Sequence, residues 1–534
     1  MKTKTLVVGA ALSTLHLFQL AVAQEASTSA TESSLDPTVV SGSPAAAPTP
    51  VRSTSPTQTV RQATVSRPVE VEVYDTIEPE VIEGGAEATF ELPGSGFFIT
   101  SQDIRDQNYV NVNRVLAKVP GVYVREEDGF GNFPNISIRG VDGTRSEKVT
   151  IMEDGILQAP APYSAPSAYY SPNIARMAGV EILKGSSQVA YGPHTTGGVI
   201  NFLSTPIPDS EQLYFRGTYG SNGNFQLHGH YGNIVETAIG RVGFLAELYY
   251  KGSDGFRTID GSTLAGVAAS DRSGFGLIEP TIKVRWEPNT ALDQSFEFKW
   301  GMTDLDADET YLGLTEGDLF ATPYRRYFGS FLDNISTEQH RTYLKWNAAL
   351  NDDLDVQIAA YYNSFERDWF KIRRVNGSSL HTTLLGNNAG NLATLQGLAP
   401  GTLGYRHNAR SYYSQGIQGS TEYRFNIGSI ENTLDFGVRE HRDQIRRFQE
   451  NTDIVFGNGT YRVVDRGPGS GGNRVQEVES TAVWLQDTIE IGSLTISPGA
   501  RYEHSELHNT DFANDATNTP TAMRTGSIDW WTAG

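Results

Sequence analysis

From about Ser210 to the last residue the chain alternates with a period of two, strand after strand. In "SFEFKW", Phe296, Phe298 and Trp300 share one face while Glu297 and Lys299 share the other. In "TIKVRW", Ile282, Val284 and Trp286 oppose Lys283 and Arg285. The segments "RTYLKWNAAL", "DVQIAAYYNSF", "SQGIQGSTEYRF", "NTLDFGVREH" and "STAVWLQDTIEI" behave alike, and aromatic residues gather near strand ends. Short connections such as "EPNTALDQ" and "NDDL" alternate with long ones such as Asp304 to Thr337. Lipid satisfies no backbone polar group, so strands cross a bilayer only in a barrel, with one apolar face and aromatic girdles. A soluble β-sandwich would instead need a second apolar layer and shorter strands. The pattern predicts about twelve strands between Leu213 and Gly534.

The N-terminus supports export. Lys2 and Lys4 precede an apolar stretch from Leu6 to Leu20, and Ala21-Val22-Ala23 is an A-x-A cleavage site before Gln24. Residues 1–23 are therefore a signal peptide, and no later segment has the ~20 consecutive apolar residues of a membrane helix. The absence of cysteine removes disulfides, thiolate metal sites and cysteine nucleophiles. A net charge of −20 argues against nucleic acid as a partner, since phosphate binding needs a basic surface.

Residues 24–91 form a tether, rich in Ser, Thr, Ala and Pro as far as Arg67, that cannot bury enough apolar surface to fold alone. Within it "VEVEVYDTIEPE", Val69 to Glu80, has the alternation of a short extended segment. Residues 92–208 read as a small α+β domain. "ITSQDIRDQNYVNVNRVLAKVPGVYV" predicts a strand and then one helix. Ser101 and Asp103 stand at its start, Val112, Val115, Leu116 and Val119 form its apolar stripe, and Pro120-Gly121 stops it. "PNISIRG", "KVTIMEDG" and "VEILKG" are short strands ending in turn residues.

"GPHTTGGVINFLSTP", Gly192 to Pro206, superficially suggests a phosphate loop or a catalytic histidine. A phosphate loop needs a helix after its glycines to supply free N–H groups. Here Val199 to Phe202 is a strand former, and His194 has no nucleophile nearby, so Gly197 and Gly198 are assigned to close backbone packing. "DLDADE", Asp304 to Glu309, resembles a calcium loop but lacks its turn glycine and distal Glu, and is read as a solvated loop. No catalytic triad, carboxylate pair or metal-binding histidine cluster stands out. Neither enzymatic activity nor a cofactor is expected.

The motifs "VLAKVPGVYV", "PNISIRG", "MEDGI", "VEILKGSSQVAYG" and "GGVINF", in this order after a signal peptide and tether, resemble the TonB-dependent outer-membrane receptors. The resemblance implies an all-β transmembrane barrel of 22 strands with the α+β domain as a plug inside its lumen, in the outer membrane of a Gram-negative-type bacterium. Only barrels of about 22 strands hold a plugged lumen. The expectation for residues 209–534 is thus a barrel truncated at its C-terminus. "PNISIRGVDGTRSEKVTIMEDGILQAPAPYSAP" followed by "YGPHTTGGVINF" looks like the ferric citrate branch, with its Arg-Ser segment, APY apical loop and Gly-Pro before the Gly-Gly strand. Signalling receptors of that branch carry a folded periplasmic domain before the plug. Here the tether occupies that place, which leaves transport without signalling.

The resemblance implies active uptake of a ferric chelate, ferric citrate first, with iron as cargo. The expected partners are the chelate, outer-membrane lipid and a TonB-type inner-membrane protein, the receptor being a monomer. The TonB box is placed near 69–79, with Glu72, Tyr74, Asp75, Thr76 and Ile77 as the gripped residues, because an extended strand can add to a partner's sheet edge. An anionic chelate needs local positive charge, and arginine's planar fork suits carboxylates. Arginines cluster in the long loops: Arg325 and Arg326 in "TPYRRYFG", Arg367, Arg373 and Arg374 with Lys371 in "FERDWFKIRR", and Arg406 and Arg410 in "GYRHNAR". Tyr163, in the Pro-stiffened "APAPYSAPSAYY", is assigned to the pocket floor. The competing readings are solvated rim charges, lipopolysaccharide phosphates or another siderophore or metal-carboxylate chelate as ligand. From other classes come a passive porin-like channel, which needs no plug, and an adhesin, which needs no coupling segment.

Overall fold

The computed structural model describes residues 85–90, 92, 94–107, 111–385 and 388–534, all within the unit Glu72–Gly534. The expected signal peptide, most of the tether and the coupling segment lie outside the described residues. No helix among the described residues is long and apolar enough to cross a membrane.

The plug strands are β1 (Ser95–Thr100), β2 (Val122–Val124), β3 (Ile136–Ile138), β4 (Val149–Glu153), β5 (Ile156–Leu157), β6 (Met177–Lys184) and β7 (Gly198–Ser204). Five of them form a mixed sheet in the order β1-β6-β7-β4-β5, with β4 and β7 parallel, and β2 pairs β3. Ile99, Ile138, Val180, Ile182, Ile200 and Phe202 fill the core beneath Val112, Val115, Leu116 and Val119. The single helix expected from about residue 101 is two: α1 (Ser101–Gln107) and α2 (Val112–Leu116). Asn111 restarts the second, its side chain accepting the Asn113 N–H as an N-cap. The apolar stripe is real, but it serves the second helix and the turn after it.

The glycines of "GPHTTGGVINF" are packing positions. A Cβ at Gly197 would sit 2.8 Å from the Lys148 carbonyl oxygen, and one at Gly198, where φ is +140°, 2.5 Å from that of Leu183. Val199 to Phe202 lie buried in β7.

The remaining strands are β8 (Gln212–Tyr219), β9 (Phe225–Thr237), β10 (Gly240–Ser253), β11 (Thr258–Ile259), β12 (Phe275–Pro288), β13 (Asp293–Ala307), β14 (Arg325–Arg326), β15 (Asn334–Asn351), β16 (Leu354–Val375), β17 (Ser378–Ser379), β18 (Gly401–His407), β19 (Arg410–Ile427), β20 (Ile430–Gly457), β21 (Thr460–Asp465), β22 (Gly472–Ile491), β23 (Leu494–Ile496), β24 (Gly499–Phe512) and β25 (Pro520–Ala533). The wall runs β8-β9-β10-β12-β13-β15-β16-β18-β20-β22-β24-β25, an antiparallel meander in which β19 fills the place between β16 and β20 below β18. Its polarity is inverted relative to a soluble protein. Lys283, Glu297 and Lys299 are at most 2% exposed, whereas Ile282 and Phe298 are 45% and 42% exposed. Charge faces the plug and apolar side chains face outward, as lipid requires.

One end carries tight connections such as Gly428 and Ser429 between β19 and β20, and the other carries long excursions such as 308–333 and 376–400. About 9–11 residues suffice to cross the bilayer. β16 has 22 residues and β20 has 28, so both continue well past it at the long-loop end. "DLDADE" is correspondingly not a solvated loop. Asp304 to Ala307 finish β13, where Leu305 and Ala307 point inward, and Glu309 is buried beside Arg257, 3.3 Å away. Period-two alternation, with the acids at Asp304 and Asp306 on the outward face, explains the acid-rich run.

Candidate ligand-binding site

Strand register builds an arginine ladder on the inner wall. Arg367 of β16 pairs directly with Arg410 of β19, Arg410 with Arg447 of β20, and Arg447 with Arg474 of β22. Directly opposed residues share a face, and Arg367 follows Phe365 and precedes Trp369 in the buried alternation of β16. Like charges placed directly opposite one another destabilise a sheet. Only the far end is neutralised, where Arg474 ion-pairs with Asp511. At the near end Arg367 is 2% exposed, and apart from its interaction with the Tyr169 side chain none of its three guanidinium nitrogens makes a well-formed hydrogen bond. The Nε atoms of Arg410 and Arg447 are likewise buried without one.

The plug contributes the opposite wall. Tyr169 lies between two cations, with Arg367 3.8 Å and Arg145 4.7 Å from its ring centre. Arg145 is itself paired with Glu127 and reaches the Tyr311 hydroxyl. Burial would raise the Tyr169 phenol, but Arg367, Arg145 and Arg410 outweigh it and bring the group below its ordinary value. The local field is therefore positive. Lys371, 17 residues along β16 from Leu354 and so past the bilayer, lies 3.9 Å from the Tyr311 ring centre and 4.0 Å from that of Trp369. Burial pushes its ammonium down to about 7, with Arg367 adding to the effect. Trp369 is fully buried and donates its indole N–H to the Glu309 carbonyl at 3.1 Å. Planar cations against aromatic faces are chemically suited to carboxylate or phosphate oxygens.

Of the residues chosen from sequence, the fold brings Arg367, Arg410 and Lys371 together here and disperses the others. Arg325 is held by Asp260, at 2.8 Å, and by Asp318, at 3.3 Å. Arg326 donates to the carbonyls of Pro323 and Arg325. The two lie in β14, which pairs with β11 inside the loops. Arg373 and Arg374 are exposed, and Arg406 donates to Asn451 at 2.8 Å. Tyr163 belongs to a separate contact. Its backbone N–H and that of Ser164 donate to Asp443, and its hydroxyl accepts from Arg439 at 2.9 Å. Arg145, Tyr169, Arg447 and Arg474 escaped the sequence reading. The visible signals were the Arg145-Ser146 pair and the second aromatic cluster of "APYSAPSAYY". The register that aligns four arginines has no sequence signature.

Beneath this site the plug is tied to the wall. Arg176, fully buried, makes a bidentate contact to Glu153 at 2.8 and 3.0 Å and reaches Glu279 of β12 at 3.2 Å. Lys299 of β13 bonds Glu153 at 2.7 Å and also Asp154. Burial alone would raise Glu153, but Arg176, Lys299 and Arg341 hold its carboxyl well below the usual range. One further grouping was not singled out from sequence: His228, His230 and Glu247 converge on the wall.

Comparison with known proteins agrees with this architecture. Residues 88–199 match the family description "TonB-dependent Receptor Plug Domain", and residues 285–532 match "TonB dependent receptor-like, beta-barrel". The fold is similar to that of the ferric citrate transporter FecA in its unliganded form, at 19% identity and TM-score 0.62, covering 84% of this chain and 61% of that one. It is similar to the siderophore receptor PiuA from Acinetobacter baumannii, at 17% identity and TM-score 0.59, covering 83% and 61%. The ferric-catecholate import receptor Fiu from E. coli K12, in its open form, matches at 15% identity and TM-score 0.58, covering 83% and 67%. The chain thus spans about three fifths of the length of the first two solved receptors. At these identities the likeness concerns the fold alone.

Proposed function

This chain belongs to the TonB-dependent receptors, a family of Gram-negative outer-membrane receptors and transporters for iron chelates, and on that premise we propose that it takes up a polyanionic ferric chelate, ferric citrate first among them. The observation that carries this reading is the arginine ladder, which ends at Arg367 without a counter-ion. Maintaining opposed cations costs stability unless a ligand supplies the missing charge. A ferric carboxylate complex does so with several oxygens at once, and the Tyr169 and Trp369 rings exclude water from the contact. Arg410, Arg447 and Lys371 enlarge the same face. Of the residues chosen from sequence, Arg325, Arg326, Arg373, Arg374, Arg406 and Tyr163 are assigned a supporting role in shaping the loops and the wall.

Energy coupling is assigned to a TonB-type inner-membrane protein gripping the tether around Glu72, Tyr74, Asp75, Thr76 and Ile77, by addition of that strand to its sheet. The test is equilibrium binding by the full-length receptor of ferric citrate, free citrate and a neutral ferric hydroxamate. The reading expects the anionic ferric complex to bind best and binding to weaken with salt. Equal affinity for the neutral chelate would move the assignment to another siderophore class.

A further inference from the structure

Where the chain leaves the plug for the wall, two histidines and a carboxylate meet. His228 and His230 stand two residues apart on β9 and so share a face. Glu247 of β10 is the register partner of His230. One donor atom from each of the three lies within 4.8 Å of the others. His228 is 9% exposed and Glu247 is 4% exposed.

The hydrogen bonding at this cluster is incomplete. His228 Nε2 lies 2.8 Å from Glu247 Oε1, which also accepts the Thr205 hydroxyl at 2.6 Å. The second carboxylate oxygen, Oε2, is buried with no partner. His230 Nε2 lies 3.3 Å from the Gln212 side-chain oxygen, an acceptor, which places the ring proton on that nitrogen. Nδ1 is then left with a free lone pair, buried and also without a partner. Two desolvated acceptors left unsatisfied in one cluster destabilise it. A cation relieves both at once. Tyr214 stacks on His230 with ring centres 4.9 Å apart and meets His228 edge-on at 5.2 Å, which restrains both imidazoles.

We propose that His228, His230 and Glu247 bind a divalent transition-metal ion of the zinc class. Two neutral imidazoles and one carboxylate suit such an ion and are poor ligands for calcium or magnesium, which take oxygen. Metal–nitrogen bonds of about 2.0–2.1 Å place tetrahedral donors closer together than 4.8 Å, a contraction of up to about 1.4 Å that side-chain rotation supplies. Three protein donors leave a fourth position for water. Gln212, by fixing the His230 tautomer, acts as the supporting contact that metal-ligating histidines usually have. The ion would hold Glu247, and through it the Thr205 hydroxyl at the plug exit. This site lies on β9 and β10, away from the arginine ladder of β16 to β22, and it does not depend on the chelate reading.

The experiment uses the full-length receptor in detergent, stripped with a chelator and dialysed against Zn2+ alone, with metal counted by emission spectroscopy. Co2+ provides a second probe through its visible d–d absorption. The expected result is one tightly held equivalent, with His230→Gln and Glu247→Gln each weakening it by more than about 100-fold, since loss of a merely supporting residue costs 10–100-fold. His340→Ala and His504→Ala, on other strands, should leave it unchanged. Heat-modifiability checks that each variant is assembled, and half-buried His230 carries the test if His228 or Glu247 variants misassemble. Unchanged Zn2+ binding in assembled His230→Gln overturns the proposal, as does the absence of a tightly held equivalent in the unsubstituted receptor.

Discussion

The Arg367 guanidinium carbon lies 3.8 Å from the centre of the Tyr169 ring, and the group makes no well-formed hydrogen bond to any carboxylate or carbonyl. A buried guanidinium normally spends its donors on carboxylates or carbonyls. Here the aromatic face holds the cation in place and leaves the donors free. Replacing Arg367 and Arg410 together with Met should weaken ferric citrate binding by roughly two to four powers of ten, at about 1.5–3 kcal/mol for each charge-assisted bond lost. A neutral chelate should lose far less. Titration calorimetry with both ligands separates anion recognition from collapse of the wall, which would weaken both equally.

Arg325 should behave differently, because its charge is already committed to Asp260 and Asp318. Arg325→Ala should change chelate affinity less than tenfold, on the order of what partly exposed ion pairs contribute. It should also make the 308–333 loop more sensitive to protease. A loss of affinity matching that of the Arg367 and Arg410 pair would place ligand at the loop rather than at the ladder.

Anion affinity should depend on pH through Lys371. Burial and Arg367 bring this ammonium down to about 7, so the free receptor loses the charge as pH rises through that value. A bound anion favours the charged form. Affinity should therefore fall between about pH 6 and pH 8 and level off below. Dividing by the affinity of Lys371→Met at each pH cancels the ligand's own ionisation. A ratio that stays flat across this range would remove Lys371 from the site.

Glu153 anchors the plug, and Glu153→Gln leaves Arg176 and Lys299 short of a buried counter-charge. Breaking a buried pair from one side costs about 3–5 kcal/mol. Denaturant unfolding should show that loss, accompanied by leakage of large antibiotics through the wall. Because the folded-state value is depressed, the contribution of Glu153 is present at neutral pH and lost as pH falls below the ordinary carboxylate range.

Removing Val69 to Pro79 should abolish uptake of labelled chelate by cells and leave surface binding intact. Coupling and ligand capture act on opposite sides of the membrane. Uptake that persists would place the coupling segment elsewhere or make transport passive.

What could be read from sequence was what repeats locally. Ile282, Val284 and Trp286 against Lys283 and Arg285 announced a wall with one apolar face, and the charged residues proved to be the inward set. Val112, Val115, Leu116 and Val119 announced a buried helical stripe, although the Asn111 cap breaks the helix that carries it. Gly197 and Gly198 were legible because few alternatives to close packing remained once a strand followed them.

The site was legible only as a set of arginines. Each of Arg325, Arg326, Arg367, Arg373, Arg374, Arg406 and Arg410 has the same local sequence quality, a cation among aromatics. Cross-strand pairing decides which of them meet. It aligns Arg367 and Arg410 with Arg447 and Arg474, and it gives Arg325 to Asp260. It also sets Glu247 opposite His230. Side-chain alternation is a property of neighbouring residues and is written in the chain. Register depends on hydrogen bonds between strands far apart in sequence, where a one-residue slip turns every side chain to the other face, and only the tertiary structure decides it.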